Sequence, residues 1–135
     1  MRLLVCGSRR PPPAVLAAVF PALDEWHRRR PITCIIEGEA RGIDRKAREW
    51  AEARGVPFEA YPVTSAEWDT WKEAGKPQPS PGTVRNGQML REGKPTAVLA
   101  FPGNVGTANM MKQTRDAGVP LARVVMITTS PGWEI

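Results

Sequence analysis

Thr33-Cys34-Ile35-Ile36-Glu37-Gly38-Glu39-Ala40-Arg41-Gly42-Ile43-Asp44 runs from a short β-branched apolar segment, through a glycine-bounded loop, into a stretch where Ile43, Ala47, Trp50 and Ala51 recur at i, i+4, i+7 and i+8. The apolar run predicts a buried strand ended by Gly38, and the spacing predicts a helix with one apolar face, capped at its C-terminus by Gly55. A strand, a glycine loop and a helix in this order form the repeating unit of a parallel sheet.

The same unit is legible on either side. Arg2-Leu3-Leu4-Val5-Cys6 predicts a first strand that stops at Gly7. Pro13 suits a first helical turn, Val15, Leu16, Val19, Leu23 and Trp26 supply an apolar face, and Pro21 predicts a kink. Pro57 to Tyr61 predicts a third strand at a sheet edge, where a leading proline is tolerated. Glu67 to Lys72 predicts a helical turn carrying Trp68 and Trp71 within an otherwise irregular segment, Thr64 to Gly82, whose Lys76 to Gly82 part is a loop. Thr83 to Arg91 predicts a helix, Ala97 to Ala100 a fourth strand, Thr107 to Ala117 a helix stopped by Gly118, and Ala122 to Ile127 a fifth strand before a short tail. The expected architecture is α/β: a Rossmann-like three-layer domain, with a mostly parallel five-stranded sheet and helices on both faces, forming a single domain over residues 1–135.

Composition agrees. Of 135 residues, 41% are hydrophobic and 24% charged, which fits one globular domain and excludes a disordered tail. No apolar run approaches the roughly 20 residues that span a bilayer. Gly7-Ser8-Arg9-Arg10-Pro11 leaves no room for the apolar core of a signal peptide, so the chain is read as cytoplasmic. Cys6 and Cys34 lie in apolar runs and read as buried thiols, and His27 stands alone, so neither a metal site nor a cofactor is expected. The net charge of +5 suggests an anionic partner. Arg28-Arg29-Arg30, however, falls where a helix should end and is accounted for by the helix dipole. Trp26, Trp50 and Met110-Met111 are read as exposed apolar positions that would allow a homodimer.

In open parallel sheets ligands bind beyond the carboxyl ends of the strands, where strand order reverses. Three glycine-bearing loops are expected there: Gly7-Ser8-Arg9, Gly38-Glu39-Ala40-Arg41-Gly42 and Pro102-Gly103-Asn104-Val105-Gly106-Thr107. Each precedes a predicted helix, so free backbone N–H groups would converge on one place, as a phosphate requires. Ser8, Arg9, Arg41 and Thr107 would add side-chain donors. The loops carry neither the Lys-Ser/Thr ending of a P-loop nor the Gly-x-Gly-x-x-Gly dinucleotide fingerprint.

Gly7-Ser8-Arg9, Gly38-x-Ala40-x-Gly42-x-Asp44, Arg85-Asn86-x-x-Met89 and Pro102-Gly103-x-x-Gly106-Thr107 together resemble the SLOG superfamily, and within it the YspA, cpYpsA-related SLOG family. The resemblance spans nearly the whole chain and implies a Rossmann-like fold binding nucleotides or nucleotide-derived ligands. It extends to the LONELY GUY nucleotide phosphoribohydrolases, which release a base from a nucleoside 5′-monophosphate. On that resemblance Arg85, Met89, Gly103, Gly106 and Thr107 match their motif residues, whereas Asn104 replaces a glycine and Asn109 and Met110 stand where that family has two glutamates. An asparagine cannot take a proton or hold negative charge beside an oxocarbenium-like ribose. Glu39, Asp44 and Arg85 are then the catalytic candidates.

A further similarity, to the DNA-processing protein group, implies single-stranded DNA binding. Trp68 and Trp71 would stack bases, but Glu67, Asp69 and Glu73 are interleaved with them. The expected function is therefore binding of a phosphorylated nucleotide or derivative, as a sensor or binding module, with nucleotide hydrolysis second and nucleic acid third. The expected ligand-binding residues are Gly7, Ser8, Arg9, Gly38, Arg41, Asp44, Arg85, Asn86, Pro102, Gly103, Asn104, Val105, Gly106 and Thr107. Asp44 or Glu39 would receive ribose hydroxyls, and selectivity for the base would lie in Thr64 to Gly82.

Overall fold

The computed structural model describes residues 1–127 and 130–134. Strands β1 (Arg2–Cys6), β2 (Cys34–Glu37), β3 (Phe58–Ala60), β4 (Ala97–Ala100) and β5 (Leu121–Ile127) are parallel, in the order β3-β2-β1-β4-β5. This is the three-layer Rossmann-like arrangement expected from the sequence. A sixth strand, β6 (Ser130–Glu134), pairs antiparallel with β5. Residues 130–134 of the expected tail thus form an edge strand, the position in a sheet where a proline is tolerated.

The central strands are buried on both faces, which is why they read as unbroken apolar runs. Leu3, Val5, Ile35 and Leu99 pack toward helices α1 (Pro13–Ala17), α2 (Val19–Arg29) and α3 (Ile43–Arg54). Leu4, Cys6, Ile36 and Val98 face α5 (Pro81–Gly93) and α6 (Val105–Asp116), meeting Met89 and Met110. Trp50 of α3 is fully buried, and its Nε1–H donates to Asp24 of α2 at 2.8 Å. Trp50 and Met110 are thus core residues, and the apolar surface expected to serve a homodimer loses both. No helix among the described residues is long and apolar enough to cross a membrane.

Several helical boundaries differ from expectation. The break in the first helical segment falls at Ala18, between α1 and α2, so Pro21 sits in the first turn of α2, where its missing N–H is not needed. Thr64 to Gly82 is more regular than expected: α4 (Ser65–Glu73) is closed by a capping box in which Thr64 and Glu67 exchange bonds, and α5 starts at Pro81 behind the N-cap Ser80. These are sequence signals, a Thr-x-x-Glu box and a Ser-Pro start, that the neighbouring prolines masked. Finally, α6 begins at Val105, two residues before the expected Thr107.

The loops after β1, β2 and β4 meet at one peptide. The Ser8 N–H donates to the Pro102 carbonyl at 3.3 Å, and the Ser8 carbonyl accepts from the Ile43 N–H at 3.1 Å. Gly42 makes this approach feasible, since it holds φ at +81° and a Cβ there would strike the Ser8 carbonyl. Gly42→Ala is expected to cost about 1–3 kcal/mol from backbone conformation alone, with the collision adding to it. Urea denaturation should show a lowered midpoint, and an unchanged midpoint would contradict this role.

Candidate functional site

Strand order reverses between β1 and β4, and a cleft of about 460 Å³ opens there above the carboxyl ends of the strands. Cys6, Gly7 and Arg9 come to it from β1, Ala40 and Asp44 from the start of α3, Arg85, Asn86 and Met89 from α5, and Asn104 to Thr107 and Asn109 from α6. Trp68 and Trp71 of α4 form the outer wall.

The N-terminus of α6 faces this space. Its N-cap, Asn104, makes no side-chain capping bond, so the first-turn N–H groups of Val105, Gly106 and Thr107 are open to an acceptor outside the helix. Thr107 is buried with its side chain against Gly103, where a Cβ would collide with it. Val105 is 85% exposed at the rim.

Opposite stands Arg85. Its Nη1 donates to the carbonyls of Gly38 at 2.6 Å and Tyr61 at 3.3 Å, and its Nε to Asn86 Oδ1 at 3.2 Å. Gly38 lacks a Cβ where this guanidinium passes; a side chain there would occupy the same space. Burial pushes the Arg85 pKa down from its ordinary value, opposed by the Asp44 carboxylate beside it. Nη2 has no partner among the described residues.

An amide network fixes the α6 side. Asn86 Nδ2 donates to the Gly106 carbonyl at 3.3 Å and to Asn109 Oδ1 at 3.1 Å, and Gln113 Nε2 donates to Asn109 Oδ1 at 2.8 Å and to the Thr83 carbonyl at 3.0 Å. Because Asn86 and Gln113 are each oriented by a further partner, the Asn109 oxygen is committed to them. Its amide hydrogens are what remain for the cleft.

Two buried carboxyl groups flank the cations. Asp44 is 6% exposed and accepts from the Ala40 N–H at 3.3 Å, and burial raises its pKa to about 6 against the pull of Arg85. Glu37, at the end of β2, is fully buried; one oxygen accepts from the Glu39 N–H and the other, Oε1, has no partner. Burial, with Asp44 and Glu39 nearby, pushes its pKa up to about 7 against the Glu39 N–H and Arg48. Sequence reasoning missed Glu37; its signal was a charged residue two positions after Ile35, on the same inward face of a buried strand.

Among the residues expected to bind a ligand, the structure brings Gly7, Arg9, Asp44, Arg85, Asn86, Asn104, Val105, Gly106 and Thr107 together around the cleft. Ser8 and Pro102 instead serve the backbone junction, with Ser8 Oγ accepting from the Arg10 N–H at 3.0 Å. Gly38 and Gly103 give room to Arg85 and Thr107 rather than lining the cleft themselves. Arg41 is exposed and outside it, and Glu39 pairs with Arg48 at 3.2 Å instead. The first loop also lacks the expected helix dipole. Prolines separate it from α1, which is only five residues long and begins at Pro13. Among the described residues no cluster of acidic, His or Cys side chains would hold a metal ion.

On the outer wall, Arg9 lies over the Trp68 ring at 5.2 Å, Trp68 and Trp71 meet edge to face at 5.5 Å, and Trp71 Nε1 donates to the Pro77 carbonyl at 2.7 Å. Both rings are therefore held in place on the wall of the cleft.

Residues 1–70 match the sequence pattern of the YspA, cpYpsA-related SLOG family. The chain is 36% identical over 127 residues to the Gene 61 protein of Mycobacterium phage D29, covering 89% of this chain and 93% of that protein. Among solved structures it is similar to DNA processing protein A from Streptococcus pneumoniae, with a TM-score of 0.48 and 17% identity. That match covers 89% of this chain and 57% of the other.

The Glu37 carboxyl links stability to pH. Its pKa stands near 7 in the folded chain against an ordinary 4.5, so between these values the folded state binds more protons than the unfolded one. The unfolding free energy therefore falls as pH rises through this window and levels off above it, by on the order of 3 kcal/mol. Asp44 acts in the same direction over a lower window, below about pH 6. Glu37→Gln is expected to flatten the decline between about pH 5 and 7 and to be the more stable protein at about pH 8. Urea denaturation across that range checks this, and an unaltered slope would refute it.

Proposed function

The chain belongs to the YspA, cpYpsA-related SLOG family, and from that premise we propose that it binds a phosphorylated nucleotide or nucleotide derivative in the cleft between β1 and β4, as a sensor or binding module. Family membership supports a nucleotide or nucleic-acid ligand at the level of the family. The observation that carries the narrower reading is the uncapped α6 N-terminus facing Arg85, whose Nη2 is unpartnered among the described residues. One phosphate placed between them would accept from backbone N–H groups on one side and a guanidinium on the other.

The remaining groups suit the rest of a nucleotide. Asp44 would accept ribose hydroxyls, the Asn109 amide would donate, and Trp68 or Trp71 would lie against the base. The Trp68 ring is already covered on one side by Arg9, and α4 carries Glu67, Asp69 and Glu73, which disfavours a polyanion laid along it.

A second reading, hydrolysis of the N-glycosidic bond, is favoured by Asp44 alone, a cleft carboxyl with a pKa near 6. Asn109 and the buried Met110 count against it, since neither supplies a second carboxylate. Sustained release of free base from a nucleoside 5′-monophosphate, abolished in Asp44→Asn, would establish it.

The binding reading is tested by thermal denaturation against nucleoside mono-, di- and triphosphates, cyclic nucleotides and a short single-stranded DNA. A ligand at about 100 times its Kd adds ~2.7 kcal/mol and raises Tm by several degrees. Arg9→Ala and Arg85→Lys should each weaken the responding nucleotide by about tenfold or more in calorimetry, the scale of a charge-assisted hydrogen bond at ~1.5–3 kcal/mol. Arg85→Lys is chosen over Arg85→Ala because alanine would leave the Gly38 and Tyr61 carbonyls without their donor. A response to DNA alone, falling steeply with salt, would replace the small-molecule reading.

A further inference from the structure

A second depression adjoins the first. Between α4 and α5 lies a groove of about 550 Å³ whose walls include Pro62, Val63, Ala66, Pro79 and Val84. Trp71 and Arg85 line both the groove and the cleft. Each space is within the range of roughly 300–1,000 Å³ that holds a small organic ligand, and Trp71 and Arg85 stand where the two meet.

The chemistry of the two halves differs. The cleft offers an uncapped helix N-terminus, Arg9 and the Asn109 amide, whereas the groove is walled mainly by proline, valine, alanine and an indole. Val84 is 53% exposed on the groove side of α5, an unusual degree for a large apolar residue in this chain. At the boundary, Arg85 lines both spaces and is held through Nε and Nη1, so its guanidinium is a fixed cation whose Nη2 has no partner among the described residues. Trp71 is fixed there too, by its bond to the Pro77 carbonyl.

We propose, resting on the nucleotide-binding reading above, that the ligand is a two-part molecule: a nucleotide whose phosphate bridges to a second cyclic, weakly polar group, as in a dinucleoside diphosphate. The first nucleoside occupies the cleft, the bridging phosphates meet Arg85 Nη2 and the α6 N-terminus, and the second ring lies in the groove against Trp71 and the prolines. A mononucleotide would satisfy the cations and leave the groove to water. A longer nucleic-acid strand is the poorer occupant, because Glu67 stands on the groove and Asp69 and Glu73 lie on the same helix.

The test compares matched pairs on the 135-residue chain: the four ribonucleoside 5′-monophosphates against the four symmetric dinucleoside 5′,5′-diphosphates, by calorimetry. At least one diphosphate should bind about tenfold or more tighter than its monophosphate. Val84→Trp, which fills the groove from an exposed position, should erase that advantage while leaving monophosphate affinity within about twofold; Ala66→Leu, from the opposite wall, should do the same in part. Circular dichroism melting of both variants confirms that the fold is retained. Equal affinity within every pair, or a Val84→Trp effect that falls equally on both members, overturns the two-part ligand and leaves the nucleotide site standing. If no nucleotide of either kind binds, the site reading falls and this inference with it.

Discussion

The arrangement of the loops above the strand ends depends on the backbone of Ser8. Its N–H and carbonyl tie the loop after β1 to the loop after β4 and to the start of α3. The bonds are backbone to backbone, so what the sequence must supply is absence of side chains rather than any particular side chain. Gly42 clears the Ser8 carbonyl, and Gly7 leaves room for the Ile43 side chain, which a Cβ would meet at 2.6 Å. Such a junction sets the cleft geometry from rigid strand ends, and side-chain fluctuations do little to it.

On that frame the site carries opposed charges under low exposure. Arg85 would be costly to bury alone; three acceptors and the nearby Asp44 carboxylate offset the loss of water. The pairing is incomplete, since Asp44 itself is held toward its neutral form by burial. An added anion would complete it. Ligand binding near Arg85 would therefore raise the Asp44 pKa further, which makes proton uptake an intrinsic companion of anion binding at this site.

The central sheet was legible because its signals are local and redundant. A β-branched run, a glycine and a helical period, as in Thr33 to Ala51, agree at every level and leave one reading. The peripheral elements were harder. The capping box at Thr64 and Glu67 and the Ser80-Pro81 start were present, but four prolines, Pro62, Pro77, Pro79 and Pro81, pointed toward irregular chain. The glycine loops lead to the candidate cleft and include residues that do not line it: glycine-rich sequence does not distinguish backbone that faces a cleft from backbone that lets other groups pass. Gly103, Gly106 and Thr107 are close in sequence, yet one makes room, one borders open space and one is buried. Glu37 was missed for another reason: the strand's alternation places it on an inward face, but the environment that shifts it comes from Asp44 and Arg48 of α3, which no local pattern encodes.

Position in the fold also separates what is fixed from what is adjustable. The cleft base is made by residues that also hold the sheet and its loops together, so changing them disturbs stability and binding at once. The outer wall is different. α4 has no buried residue, and its two tryptophans meet Arg9, Pro77 and each other rather than the core. Substitutions there can alter the shape offered to a base or a second ring at little cost to folding. On the proposed reading, affinity for phosphate would belong to the strand ends and the α6 N-terminus, while selectivity for what the phosphate carries would belong to α4 and the prolines that follow it.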